Sequence, residues 1–322
     1  MRVHATWSGL RVKPSVLATL VATTATALVM GVAAGPTASA EEVPKPDVAS
    51  AQAEQDSDGD GVADRPDAVS ASSAARASDD QVEVLSERTA STRTLANPDG
   101  SFTTDSFAEP VWTEDEEGSW ERIDLTLVET KDGWSPKAAP VDAVFSSGGD
   151  ATFVALSDVE GQDLKWQWPT DLPEPTVDGA TLTYPDVVED GDLVVTALRT
   201  GFSHSIVLRE QPTEDLQIPI PVQFGDAEIE VGEDQSLAVV EGKETLVTAV
   251  PPVMWDAAET AAGDPANVAP VGVEVEQEGA DATLVLTPDA EMLSDPETEY
   301  PVTVDPTFVV QAGSSAWVQT TN

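Results

Sequence analysis

The sequence predicts an all-β protein with an antiparallel β-sandwich-like fold, built as one large lobe or two smaller lobes behind a disordered leader. Two observations predict this fold. From about Val82 onward, short stretches of alternating apolar and polar residues are separated by Gly, Pro, Asp and Asn, which is typical of many short strands. The chain contains no cysteine, so apolar burial rather than disulfides has to stabilise the core.

The clearest strands each show one apolar face. Leu164, Trp166 and Trp168 alternate with polar residues, as expected when one side of a strand is buried. Residues 193–198 and 202–208 read as the two arms of a hairpin, with Gly201 available for positive φ in the turn. A short alternation also runs over 123–127.

Further strands are predicted along the rest of the chain, at 227–231, 237–240, 245–250, 271–275, 283–286 and 302–304. Glu241-Gly242-Lys243 is a natural tight connection between two of them. Helix is scarce, and residues 289–293 are expected to form one short turn.

Composition divides the chain into five segments. We expect a signal peptide over 1–40, a flexible acidic leader over 41–81, β-rich lobes over 82–210 and 211–308, and the start of a further module over 309–322. The leader consists of Ala, Ser, Asp, Glu and Pro with little to bury, so its ordering entropy would not be offset.

The first 40 residues have the parts of a secretory signal peptide. Basic residues precede an apolar stretch over 16–34, and Ala38-Ser39-Ala40 supplies the small-x-small pattern that signal peptidase accepts. The alternative is a membrane anchor, but threonines dilute the stretch and no basic cluster follows it. We therefore expect cleavage before Glu41, no membrane span afterwards, and a secreted, extracellular or cell-wall-associated protein.

The chain is strongly acidic. It has 15 Lys and Arg against 59 Asp and Glu, and removal of the signal peptide leaves 12 basic residues and a net charge of −47. Because phosphate binding needs positive surface potential, we expect no nucleic-acid partner. A surface of this charge attracts cations, Ca²⁺ included. Adaptation to a salty habitat is an alternative cause.

The sharpest motif is DSDGDGVADRPD, residues 56–67. Its oxygen donors have the spacing of a calcium loop, and Gly61 stands where such loops turn sharply. The alternative is a solvated acidic linker. The predicted Ca²⁺ ligands are Asp56, Asp58, Asp60, the Val62 carbonyl, Asp64 and Asp67.

No catalytic residue is predicted. The one histidine after the signal peptide, His204, lies between Ser203 and Ser205, but neighbouring strand residues point to opposite faces. A packed histidine is therefore expected. The tryptophans that could stack on sugars are those at 112, 120, 134, 166, 168 and 255.

Six blocks of sequence carry a family resemblance: VLSERTASTRTLANPDGSFTTDSFAEPVW, GSWERIDLTLVE, TYPDVVEDGDLVVTALRTGFSHSIVLRE, PPVMWDAA, NVAPVGVEVE and TEYPVTVDPTF. Residues 82–308 resemble the N-terminal region of secreted actinobacterial proteins that carry RHS/YD repeats, DNRLRE modules or LamG-like domains. The resemblance implies a wall-associated, polymorphic-toxin-like architecture in which this region is a β-rich module without a catalytic motif. No YD repeat or complete DNRLRE or LamG domain stands in this sequence.

These observations predict a non-enzymatic, secreted or wall-associated structural module of a larger RHS/DNRLRE-type protein. Its expected partners are cell-wall polysaccharide or downstream modules of a longer chain. The alternative is a carbohydrate-binding module or a weak glycoside hydrolase, for which the tryptophans and abundant carboxylates are the only support.

Overall fold

The computed structural model describes residue 56 and residues 58–115, 117–159, 162–278, 281–305 and 308–310. The predicted signal peptide, the predicted cleavage site and residues 41–55 of the predicted leader lie outside the described residues, as do residues 311–322. No helix of the described part is long and apolar enough to cross a membrane.

The described residues between 56 and 122 form a small N-terminal subdomain. Its elements are β1 (Ala63–Arg65), α1 (Ala68–Ser78), β2 (Val82–Val84), β3 (Thr92–Ala96), β4 (Phe102–Ser106), β5 (Trp112–Glu114) and β6 (Trp120–Arg122). Strands β1 to β4 form one sheet in that order, and β5 pairs with β6 as a separate hairpin. The β1–β2 pair is parallel, with Asp64 opposite Glu83.

Helix α1 corrects the predicted leader. Asp67 caps the helix by accepting hydrogen bonds from the amides of Val69 and Ser70, which satisfies two of the free donors at a helix start. Ala71 and Ala75, four residues apart on one face, are fully buried in a small core with Val82, Val84 and Ala96. The prediction of disorder over 41–81 is therefore wrong for residues 63–78. Composition missed this helix because alanine adds little hydrophobicity yet packs closely.

The remaining strands build a sandwich, which begins at residue 123. They are β7 (Asp124–Thr130), β8 (Gly133–Ala138), β9 (Ala143–Phe145), β10 (Thr152–Val159), β11 (Gln162–Gln167), β12 (Thr176–Asp178), β13 (Thr181–Val188), β14 (Gly191–Leu198), β15 (Gly201–Leu208), β16 (Ile218–Gln223), β17 (Glu228–Val231), β18 (Leu237–Glu241), β19 (Glu244–Ala249), β20 (Val253–Trp255), β21 (Val268–Pro270), β22 (Gly272–Glu278), β23 (Asp281–Thr287), β24 (Val302–Asp305) and β25 (Phe308–Val310), with helix α2 (Ala290–Ser294) before β24.

Two sheets make up the sandwich. The front sheet has the order β22-β23-β16-β11-β10-β9-β8-β7, and the back sheet has the order β12-β13-β14-β15-β25-β19-β18-β17. Strand β24 lies between β15 and β20 in the back sheet, and β21 pairs with β20. All these pairs are antiparallel, so the prediction of an all-β antiparallel sandwich is confirmed.

One core fills the space between the sheets. Trp166 of the front sheet contacts Phe202 of the back sheet edge to face, with ring centroids 4.8 Å apart, the geometry that aromatic pairs prefer. A single buried cluster contains residues from Leu127 to Val304 and draws on both sheets. Phe224 contacts the same indole, also at 4.8 Å.

The single core corrects the predicted boundary between lobes over 82–210 and 211–308. Strand β16 follows that boundary, yet it pairs with β11 on one side and β23 on the other. Both sheets therefore mix strands from the two predicted lobes. Residues 209–217, which connect β15 to β16, lie at the surface and do not divide the core.

Several local predictions are confirmed. Leu164, Trp166 and Trp168 are buried on one face, and β14 and β15 form the predicted hairpin with φ +143° at Gly201. Gly242, in the turn between β18 and β19, has φ +64°. The predicted short helical turn is α2, capped by Asp289.

The predicted start of a further module at residue 309 is corrected as well. Val309 and Val310 belong to β25, which pairs with β15 and with β19 of the back sheet. Residues 309 and 310 are therefore part of the sandwich.

Candidate metal centre

The predicted calcium loop brings three carboxylates together. Asp56, Asp58 and Asp60 each offer an oxygen, and these oxygens lie within 4.8 Å of one another. Among the described residues, this is the one group of three or more acidic side chains close enough to share an ion. Carboxylate oxygens at alternate positions of a tight loop are the ligands that Ca²⁺ prefers.

The start of the loop is shaped by hydrogen bonds to Asp56. Its Oδ1 accepts from the amides of Gly59 (2.7 Å) and Asp60 (3.1 Å), and its Oδ2 accepts from the amide of Gly61 (2.9 Å). The Gly61 hydrogen bond is the largest cause that lowers the pKa of Asp56. Gly59 and Gly61 have φ of +71° and +84°, a region that glycine enters at little cost. The loop therefore holds an ionised Asp56.

The outer oxygens of the other two aspartates are held by residues far along the chain. Asp58 Oδ2 accepts a hydrogen bond of 2.5 Å from the indole Nε1 of Trp112 and lies 3.2 Å from Arg88 Nη2. Asp60 Oδ2 accepts from Arg93 Nη1. Metal-binding carboxylates are commonly oriented by such outer partners.

The inner oxygens of the same two residues face the loop backbone. Asp58 Oδ1 lies 3.4 Å from the amide of Asp60, and Asp60 Oδ1 accepts a hydrogen bond of 2.8 Å from the amide of Val62. Each carboxylate therefore has one oxygen committed to an outer donor and one directed to the loop.

A buried ion pair supports the loop from below. Arg88 makes two hydrogen bonds of 2.7 Å to Glu83, from Nε and Nη2 to the two carboxylate oxygens, in the bidentate arrangement that arginine favours. Its guanidinium carbon lies 5.1 Å from the ring centroid of Trp112. Burial lowers the pKa of Arg88, but the hydrogen bond and charge of Glu83 and the charges of Asp58 and Asp64 raise it above its usual value.

The remaining predicted ligands lie elsewhere. Asp64 is buried in β1, with 2 % of its surface exposed, and Asp67 caps α1. The amides of Ser70 and Val69 lower the pKa of Asp67, the Ser70 amide most. Neither carboxylate belongs to the group of three. Asp67, whose spacing suggested the last calcium ligand, has a structural role in starting the helix.

The residues around the loop could not be read from the motif. Glu83, Arg88, Arg93 and Trp112 come from four separate places, and the Trp112–Asp58 pair spans 54 positions. One signal was available: arginine, scarce in this acidic chain, occurs five times between residues 65 and 122.

The other candidate functional residues are mostly buried. His204 has no exposed surface and contacts Phe153 and Phe202, and burial lowers its pKa to about 3. Trp112, Trp166 and Trp168 are also buried, so these three indoles have no free face for a sugar. Trp120, Trp134 and Trp255 are half-buried.

Comparison with known proteins gives a distant similarity. No family model matches the chain, and no solved structure matches it significantly. It is 26% identical over 259 residues to the tRNA nuclease WapA of Bacillus subtilis strain 168 and to the tRNA3(Ser)-specific nuclease WapA of Bacillus spizizenii. The tRNA(Glu)-specific nuclease WapA of Bacillus subtilis subsp. natto matches equally. Each match covers 73% of this chain and 11% of the relative.

These names overturn two predictions. The relatives are nucleases, so the prediction that the protein is not an enzyme is wrong. Their substrate is tRNA, so the exclusion of a nucleic-acid partner is wrong too. The net charge of this chain does not exclude a nucleic-acid partner, because the chain spans about a tenth of the length of the relatives it matches. Over most of its own length and a small part of theirs, the chain is similar to proteins named tRNA nucleases.

Proposed function

We propose that this chain is the exported β-sandwich region of a larger nuclease that cleaves tRNA. The observation that carries the proposal is the match over 259 residues, which takes in most of this chain and 11% of each relative. The resemblance of residues 82–308 to the N-terminal region of large secreted proteins agrees with it. The predicted signal peptide also agrees with it, because it would direct export of this region from the cytoplasm.

The nuclease proposal is tested on the longest natural polypeptide that contains this chain. We expect it to cut end-labelled tRNA and to leave a DNA duplex of similar length intact. The chain of residues 41–322 is assayed in parallel, and cleavage by it would locate the activity within these residues. Absence of tRNA cleavage by both polypeptides would contradict the proposal.

Export is tested separately from nuclease activity. The protein recovered from the medium and from the cell-wall fraction should begin at Glu41, as measured by mass spectrometry of its N-terminal peptide. A protein found only inside the cell with Met1 intact would contradict the proposed localisation.

We propose further that the N-terminal subdomain binds one Ca²⁺ ion at Asp56, Asp58 and Asp60. The charges around the loop support this. Arg88 forms ion pairs with Asp58 and Glu83, and Arg93 forms ion pairs with Asp60 and Asp105, so two guanidinium groups face four carboxylates. Asp56 and the buried Asp64 add further negative charge, so the carboxylates around the loop outnumber the arginines, which favours a bound cation.

Burial makes this surplus costly without a cation. The side chains of Asp58 and Glu83 are 1% and 0% exposed, and that of Asp60 is 5% exposed. Arg122 lies 3.8 Å from Asp60, but it is 46% exposed and is therefore screened by water. Carboxylates that share a buried site repel each other, and a bound divalent cation removes that repulsion.

Calorimetry tests the calcium proposal. We expect the mature protein to take up one Ca²⁺ per chain with an affinity on the order of micromolar to millimolar. The variant Asp58→Asn/Asp60→Asn should lose this heat. Asp99→Asn is the matched control, since Asp99 also shapes a turn through Ser101 but lies outside the group of three.

A second variant separates loss of Ca²⁺ binding from loss of the fold. Asp56 is exposed and lies outside the small core around α1, and asparagine keeps one acceptor oxygen for the Gly59 and Asp60 amides, so Asp56→Asn should leave the subdomain folded and still weaken Ca²⁺ binding at least tenfold. Equal heats for the unmodified protein, the double variant and Asp56→Asn would end the proposal.

A further inference from the structure

The centre of the back sheet is occupied by residues 302–305 (β24) and 308–310 (β25), which are together called the closing segment here. Val304 pairs with Ile206 of β15 on one side and with Met254 of β20 on the other. Val309 likewise lies between β15 and β19. The closing segment is therefore flanked by paired strands along both of its edges.

The rest of the back sheet falls into two groups of strands. One group is β12 to β15, and the other has two parts, β17 to β19 and the β20–β21 pair, which no strand pairing of the described residues joins directly. In the described part of the chain, each strand pairing that joins the two groups passes through β24 or β25. The front sheet, in contrast, is continuous without them.

The pairings of the closing segment are also distant in sequence. Strands β13 to β15 and β17 to β19 are successive hairpins, which close over short loops. The pairing of Leu208 with Val302 closes 94 positions. Because long loops cost more entropy to close and non-local pairings form more slowly, the hairpins can form before the closing segment is in place.

Insertion of the segment has a clear driving force. Val302 and Val304 are both fully buried, and burial of apolar side chains favours insertion. The backbone groups along the edges of β15, β19 and β20 gain partners at the same time. An open sheet edge is a template for an added strand.

We propose that the back sheet contains a strand-acceptor cleft between β15 and the β19/β20 edge, whose occupant is the closing segment. The segment adds to an otherwise formed sandwich as a separable strand. The front sheet and the two groups of hairpins persist when the segment is withdrawn.

The test starts from the full mature chain with a specific protease site inserted between Pro296 and Glu297, which are both exposed. After cleavage, residues 297–322 should stay bound through size-exclusion chromatography. They should leave at a urea concentration below the one that unfolds the remaining chain, as followed by far-ultraviolet circular dichroism.

A fluorescent peptide of residues 299–312 should then replace the released fragment with one peptide per chain. A peptide with Glu299→Gln should enter equally well, because Glu299 is exposed and lies outside β24 and β25. A peptide with Val304→Pro and Val309→Pro should not enter, because proline cannot donate within a central strand.

Three results would overturn the proposal. They are release of the fragment only at global unfolding, failure of the native peptide to enter after release, and entry of the proline peptide as readily as the native one.

Discussion

Trp112 donates its indole N–H to Asp58 across 54 positions of sequence, and the donor–acceptor distance is 2.5 Å. The acceptor is the outer oxygen of a carboxylate whose other oxygen faces the proposed calcium loop. The indole is itself buried, with 1% of its surface exposed. Binding of an ion to the loop therefore alters the surroundings of the Trp112 indole, which lies in the hairpin of β5 and β6.

Addition of Ca²⁺ should change the fluorescence of Trp112. Ion binding redistributes charge on Asp58, and the indole excited state responds to the group that accepts its hydrogen bond. Trp112→Phe should remove the calcium-dependent change, whereas Trp255→Phe, a substitution in the sandwich, should retain it. A calcium response that survives in Trp112→Phe would contradict the assignment.

Arg88→Met should destabilise the N-terminal subdomain strongly. The substitution leaves Glu83 and Asp58 buried without their shared cation, and breaking a buried pair in this way typically costs about 3–5 kcal/mol. Urea unfolding followed by Trp112 fluorescence measures the loss. Arg209→Met, which removes an exposed arginine paired with Asp186 and Asp192, should leave the midpoint nearly unchanged. Equal midpoints for Arg88→Met and the unmodified protein would refute the role given to Arg88.

Gly133→Ala should destabilise the sandwich more than Gly242→Ala. Both glycines have positive φ, +140° and +64°. A Cβ at Gly133 would lie 2.2 Å from the carbonyl oxygen of Phe145, whereas one at Gly242 meets no atom within 4 Å. The Gly242 variant should lose about 1 kcal/mol from its strained backbone, and the Gly133 variant clearly more. Thermal unfolding of the two variants gives the comparison, and equal losses would contradict it.

His204 should make the sandwich less stable as pH falls from 6.5 towards 3. Burial lowers the pKa of His204 from 6.5 to about 3. Above pH 6.5 the imidazole is neutral in both states, so it adds no pH dependence. Between these values the unfolded chain binds a proton that the folded chain does not, so stability is lost by up to about 1.4 kcal/mol per pH unit.

His204→Leu should lack this loss. The carboxylates contribute equally to both proteins, so the difference between their urea midpoints at pH 7 and pH 5 isolates the histidine. If the midpoints of His204→Leu and the unmodified protein differ by the same amount at pH 7 and at pH 5, His204 takes up its proton in the folded state as well.

The sandwich was predictable from local pattern, and its pairing was not. Leu164, Trp166 and Trp168 alternate along the chain, so their burial on one face follows from the strand repeat alone. Gly201 and Gly242 mark their turns for a similar local reason. Nothing local pairs β16 with β11 or inserts β25 between β15 and β19. Those contacts depend on how well the surfaces of distant strands fit together, and a short stretch of sequence does not contain that information.

The candidate site divides in the same way. The loop aspartates stand within five positions, so their spacing predicts their convergence. Arg88 and Trp112 join them only because β2, β3 and the hairpin of β5 and β6 fold against the loop. The helix after the loop was missed because its apolar face consists of Ala71 and Ala75, two small residues that a hydrophobicity count hardly registers.

The position of β25 in the back sheet sets the order in which a growing chain can mature. A ribosome delivers the polypeptide from its N-terminus, and β25 follows every other strand of that sheet in sequence. The described contacts of the loop, in contrast, lie within residues 56–122, so this part is complete early. A nascent chain therefore carries a finished N-terminal subdomain ahead of an unfinished sandwich, whose open edges need protection from aggregation until Val310 has been made.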